Sequence, residues 1–355
     1  MSDRHEAHVL LAILQGRWDA AEALQRARPV DPRRFAALCK ATDVAPTVHA
    51  ALAASGRTGF LGDAVGRDLA AARAKTRVDN LLLLKALDDA LDLLLAAGVR
   101  PVALKGVDVL NRLYGSFDER SLDDVDLLVP PEQRELAIGT LERAGFTAPR
   151  GEERTHWLRS SFEMPLTSPG PVGVAFEIHW SLGQERRYRV DAAGLIARAV
   201  PFDLDGREIL RLDEHDAVAH LLVHHVQHYF DRRLKWVLEI GLRARTLGFS
   251  WPSVAERLAA WGARGAAGLS LAHVRKLFPD LLPRAAYEAI PAATWRLVAT
   301  MPLRASHPLD FYRGTRRRTV QLAIAAAALE RPWDLPSYVR HRAMRDSDPG
   351  ADRVG

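Results

Sequence analysis

Residues 101–129 constrain this chain most. The apolar run Val102-Ala103-Leu104 ends at Lys105-Gly106, a short helical stretch follows, and the segment closes on Arg120-Ser-Leu-Asp-Asp124-Val-Asp126-Leu-Leu-Val129. The order reads as strand, tight turn, helix, strand. Asp124 and Asp126 occupy alternate positions of a β-prone segment, and alternate side chains of a strand share a face. Two convergent carboxylates repel each other unless a cation lies between them, and a hard divalent ion is the usual partner. Upstream, a turn at Lys105-Gly106 leading into a helix start would offer backbone N–H groups and a helix dipole to a phosphate. The bland alternatives are a charged turn before a strand, with Asp123 facing away, and a Lys-Gly at a strand end. Acids are disfavoured in strands, so two on one face ask for a reason.

A phosphate cradle beside a metal-binding acid pair is the chemistry of nucleotidyl transfer, and such sites use a third acid from a neighbouring strand. Val174-Ala-Phe-Glu177-Ile-His179-Trp180 supplies the candidate. Its alternation puts Glu177 and His179 on one face, with Ile178 on the other. Asp124, Asp126 and Glu177 are therefore the expected metal-binding and catalytic carboxylates, with His179 supporting them by hydrogen bonding. Arg120 either pairs with a neighbouring acid or clamps phosphate through its planar guanidinium.

These residues resemble a known family, the bacterial uncharacterised nucleotidyltransferase-like proteins of the polymerase-beta-like superfamily. The resemblance rests on Leu104-Lys105-Gly106, Leu113-Tyr114, Arg120, Asp124, Asp126-Leu-Leu-Val129, Glu177, His179-Trp180, His224, His228 and Leu234-Lys235-Trp236, and it spans roughly residues 8–245. It implies an α/β (α+β) nucleotidyltransferase core with a small mixed sheet between helical flanks. It also implies one or two Mg2+ ions, an NTP (ATP foremost) as donor, and an acceptor the motifs do not name. Lys105, Gly106 and Arg120 would hold the phosphates. His224, His228 and Lys235 would stand on the acceptor side. The wider superfamily carries Gly-Ser or Gly-Gly in the first turn, whereas Val107 follows Gly106 here, which shifts weight to Lys105 and the backbone.

Composition narrows the setting. Hydrophobic residues are 48% and charged residues 26% of 355, ordinary for a globular chain. The apolar runs Leu81–Leu84 and Leu93–Leu95 are short and broken by charge, so no membrane span is expected. The first residues lack a signal peptide's order, and a cytoplasmic protein is expected. Cys39 is the one cysteine, which excludes an internal disulfide and a multi-Cys zinc site. The net charge of +5 sits in an Arg-rich composition. Its one basic run, Arg313 and Arg316–Arg318, lacks the interleaved aromatics of a nucleic-acid platform, so nucleic acid is not an expected partner.

Four regions follow from the periodicity: an N-terminal helical region 1–76, an α/β core 77–210, a C-terminal helical domain 211–344 and a loose tail 345–355. Within them a helix is expected over about 68–98 with Gly98 as its stop, strands at 101–105 and 122–129, and helices at 107–114 and 131–144. Two further strands, near 154–162 and 172–181, flank the turn Ser168–Pro171. His220, His224 and His228 recur every four residues on one helical face, with His225 beside them. Three ligands along one straight helix do not converge on zinc, and the metalloprotease Glu is missing. The ladder is read as buried packing or contact with nucleotide or acceptor. Two rivals remain from other classes, a catalytically silent nucleotide-binding scaffold and a metal hydrolase built on the ladder.

Overall fold

The structure, a computed structural model, describes residues 4–183, 187–204, 206–230, 233–300, 318–330 and 334–336. Arg313, Arg316, Arg317 and the tail 345–355 lie outside them.

Four short helices open the chain: α1 (Arg4–Leu14), α2 (Trp18–Ala27), α3 (Pro32–Ala41) and α4 (Ala45–Ala54). Helix α3 starts where its sequence says it should, with Asp31 accepting from the Arg34 N–H at 2.9 Å and Pro32 in the first turn. The long α5 (Asp63–Ala96) follows and ends before Gly98, whose φ of +80° a side chain would resist. About 50 Å of helix thus runs straight through the expected 76/77 boundary. Val65 and Leu69 pack with the N-terminal helices, whereas Leu83, Leu87, Leu91 and Leu94 pack on the sheet. Between them sit the buried polar Thr76 and Asn80.

The described strands form one mixed sheet in the order β3-β4-β2-β1-β6-β5. They are β1 (Val102–Ala103), β2 (Val125–Leu128), β3 (Glu163–Thr167), β4 (Ala175–His179), β5 (Val200–Leu204) and β6 (Arg207–Arg211). Strand β2 runs antiparallel to β1 and parallel to β4; β6 runs parallel to β1. Pro165 and Pro201 fall on the two edge strands, the places in a sheet that tolerate a missing N–H. Helices α6 (Leu110–Leu113), α7 (Arg134–Arg143), α8 (Gly151–Ser160) and α9 (Ala192–Ala197) lie between strands. A helical C-terminal part follows: α10 (Glu214–Gln227), α11 (Leu234–Arg243), α12 (Trp251–Trp261), α13 (Arg264–Leu277), α14 (Arg284–Ala289) and α15 (Thr294–Ala299), then the helix Arg318–Ala328.

Strand alternation assigns the two sheet faces. Val125, Leu127, Phe176 and Ile178 enter one core with α5 and α7; Val102, Leu104 and Leu128 enter the other, which contains α10 and its bundle. Asp126 shares its parity with Leu128 and so faces α10.

Three expectations are corrected. The segment 154–162 is mostly α8, and the strand follows at 163–167. Its polar sequence, with Glu152 and Glu153 in the first turn and Arg159 in the last, suits a helix dipole. The helix expected over 107–114 is reduced to four residues after a run of turns at 105–109. The hairpin 200–211 was not expected, although β6 lies beside β1 in the sheet interior.

Candidate active site

Parallel pairing of β2 with β4 sets Asp126 directly beside Glu177, and Leu128 beside His179. One ligand atom each from Asp126, Glu177 and His179 falls within 4.8 Å of the others; among the described residues this is the group of three or more such side chains able to hold a metal ion. His179 Nε2 is 2.9 Å from Asp126 Oδ1 and 3.3 Å from Glu177 Oε2. Lys105 Nζ reaches the same Asp126 Oδ1 at 2.9 Å. Antiparallel pairing then brings Glu163 of β3 opposite His179, with Glu163 Oε2 3.3 Å from Nδ1.

Four carboxylates and two cations in one buried place displace each other's proton affinities. Burial alone would raise the Asp126 carboxyl, but Lys105 and His179 hold it far below its usual range. Burial alone would lower His179, yet hydrogen bonds to Asp126 and Glu177 and the charge of Glu163 lift it to about 10. Lys105 is raised in the same way, the acids outweighing burial. Asp124 and Glu163 are each pushed up to about 7, first by burial and next by a neighbouring carboxylate, Asp126 and Glu177 respectively. Asp124 lies one residue ahead of β2, outside the set of three but near enough to feel its charge.

The turn carrying Lys105 differs from expectation. Lys105 itself adopts the left-handed conformation, at φ +46°, a placement that costs a non-glycine residue of order 1 kcal/mol. Gly106 is required for space: a Cβ there would overlap the Arg120 guanidinium and come within 2.7 Å of Leu122 Cδ2. With α6 only four residues long, the helix dipole expected at this turn is small, and Lys105 is its main cationic feature.

Residues 28–279 match the family model described as uncharacterised nucleotidyltransferase. The chain belongs to that family. No curated protein matches it. Among solved structures it is similar to an antigenic nucleotidyltransferase-like protein from Paracoccidioides brasiliensis, at 13% identity and a TM-score of 0.36, covering 62% of this chain and 94% of that one.

In this nucleotidyltransferase-family chain the other expected site residues lie apart from the carboxylates. Arg120 is buried, donating from Nε to Glu239 Oε1 at 2.8 Å and from NH1 to the Ser121 carbonyl, also at 2.8 Å. Those bonds tie the loop ahead of β2 to α11. Lys235 is buried against Asp43 and Asp123, with Nζ 2.9 Å from Asp123 Oδ2. The histidines run along α10: His220 and His224 are buried and His228 is exposed at the helix end. His224 packs on Trp236 with ring centroids 4.4 Å apart and on His228 at 4.2 Å. Burial first, and then charges that include Lys105 and His179, keep His220 and His224 well below the usual imidazole range. Their neutral form is thereby favoured. His225 accepts or donates through Nδ1 with Ser270 Oγ at 2.9 Å, away from the carboxylates.

Sequence reasoning missed Glu163 and Glu239. The signal for Glu163 was Glu163-Met-Pro-Leu-Thr167, whose alternation makes a strand once α8 is recognised before it. Glu239 lies four residues after Lys235 on α11, a charge inside an apolar helix.

Proposed function

We propose that this family member is a Mg2+-dependent nucleotidyltransferase, moving a nucleoside monophosphate from an NTP, ATP foremost, to an acceptor that is a small molecule, a peptide or a protein. One observation carries the reading: Asp126 and Glu177 sit side by side on parallel strands with Lys105 drawn onto Asp126. Oxygen donors on rigid strands suit a hard cation such as Mg2+ or Mn2+. Asp126 and Glu177 would hold it, with Asp124 approaching from the loop before β2. A cation bound there would screen the triphosphate charge and the charge developing at the α-phosphorus during in-line attack by the acceptor oxygen, with pyrophosphate leaving.

Before nucleotide arrives, Lys105 and the His179 imidazolium neutralise the acids. On binding, Lys105 exchanges Asp126 for a phosphate oxygen, a move its 11% side-chain exposure permits. His179 keeps Asp126 and Glu177 oriented through Nε2, and the Glu163 carboxylate, 3.3 Å from Nδ1, favours the charged form of the ring. His228, exposed at the end of the ladder and packed on the buried Trp236, would offer a surface for an acceptor.

Purified protein incubated with each labelled NTP, Mg2+ and a cell lysate tests the proposal. Label should pass to a discrete acceptor, and Asp126→Asn should abolish the transfer. Transfer that continues undiminished in Asp126→Asn would rule the reading out.

A further inference from the structure

Helix α11 is buried along nearly its whole length, yet it carries three charged residues at four-residue spacing. Lys235, Glu239 and Arg243 are 1%, 0% and 1% exposed, and positions i, i+4 and i+8 share one helical face. Each meets an opposite charge on the segments that carry the active site. Lys235 Nζ lies 2.9 Å from Asp123 Oδ2 and 3.1 Å from the Ser121 carbonyl. Glu239 Oε1 receives Arg120 Nε at 2.8 Å. Arg243 NH2 grips both oxygens of Asp108 at 2.6 Å, while NH1 reaches Glu214 at 3.0 Å.

Besides Asp43, which pairs with Lys235, and Glu214 of α10, the partners fall in two places. Asp123 and Arg120 belong to the loop that delivers Asp124 and Asp126. Asp108 belongs to the turn that follows Lys105 and Gly106. The alternation of sign along α11, positive, negative, positive, is matched in reverse by the core, so sliding the helix by one turn would put like charges together. A plain apolar face would bury the same helix without the desolvation cost of three charges, which on its own argues against a purely stabilising role.

We propose that Lys235, Glu239 and Arg243 form a positioning ladder that fixes the Lys105 turn and the Arg120–Asp124 loop ahead of β2 in register with each other, so that the C-terminal helical part sets the geometry of the cation and phosphate site. For its effect on metal, the proposal rests on the cation site described above. Arg120 and Lys235 are then positioning residues and touch neither phosphate nor acceptor.

Hydrogen exchange on the full chain, with Mn2+ titration followed by electron paramagnetic resonance, tests this in Glu239→Gln and Arg243→Lys. Gln keeps the shape of Glu239 without its charge; Lys keeps the Arg243 charge without its two-pronged grip. In both variants, amides in peptides covering 104–110 and 117–124 should exchange about tenfold faster or more, with β4 and the last two turns of α10 unchanged, and Mn2+ should bind about tenfold more weakly. Wild-type exchange in those peptides with wild-type Mn2+ affinity, or acceleration spread evenly over the chain, overturns the proposal. Should Glu239→Gln fail to fold, Arg243→Lys decides alone. Asp126→Asn separates the two readings. If it binds Mn2+ as the wild type does, the cation site is wrong, and the ladder stands or falls on the exchange result.

Discussion

Lys105 and His179 converge on one oxygen of Asp126, each 2.9 Å away, and that crowding makes firm predictions. Lys105→Met removes one of two cations from a buried acid group and leaves Asp126 with His179 alone. Stability of the cation-free protein should fall by about 1–3 kcal/mol, the cost of stranding a charged partner, and millimolar Mn2+ should restore part of it. Chemical denaturation of the two proteins checks this; equal midpoints would mean that Lys105 does not hold the empty site together. A second prediction concerns pH. His179 is raised to about 10 in the folded chain against about 6.5 when unfolded, so the fold holds this proton more tightly. Its contribution is complete below about pH 6.5 and drains away as pH rises through about 10. Melting temperature of the cation-free protein should therefore fall across that window, and His179→Gln should flatten the fall. An identical slope in both would remove His179 from the charge cluster. The alternation of residues 124–126 and 177–179 made most of this group legible in the sequence. Glu163 was not legible, because its place opposite His179 depends on hairpin register, which the misplaced strand at 154–162 obscured.

Elements carry the next level. The Lys105 turn, the loop before β2 and α11 interlock: Asn80 of α5 donates to the carbonyls of Phe117 and Arg120 and accepts the Leu122 N–H at 2.9 Å, while Arg120 lies under Gly106. Gly106→Ala should push Arg120 off Glu239 and cost about 1–3 kcal/mol, the range of overpacking a filled interior, with a matching loss of Mn2+ affinity. Wild-type stability in this variant would show that the guanidinium moves aside freely. Helices with periodic apolar faces and clear stops were readable: α5 with its Gly98 stop, and α7 within the expected 131–144. The β5–β6 hairpin was not. Its edge strand alternates only between half-buried and exposed side chains, so the apolar signal is weak. Lys235 and Arg120 could not be placed either, since a lone charge in the sequence does not say which distant element will neutralise it.

The whole molecule is a mixed sheet between two cores, one formed with α5 and α7, the other with the α10 bundle, and the carboxylates face the second. That arrangement places the site where the α/β core meets the C-terminal helices, with α5 tying the N-terminal helices to both. No described helix is long and apolar enough to cross a membrane. The family is that of the uncharacterised nucleotidyltransferases, and the local chemistry turns on whether Asp126 and Glu177 hold a divalent cation with a nucleotide. The most direct measurement is a crystal structure of the protein grown with Mn2+ and a non-hydrolysable NTP, using anomalous scattering to locate the metal. Manganese should appear between Asp126 and Glu177, at about 2.1–2.2 Å from one oxygen of each, with Lys105 moved from Asp126 onto a phosphate oxygen. Manganese bound instead on the histidines of α10, or a nucleotide seated away from β2 and β4, would contradict the account.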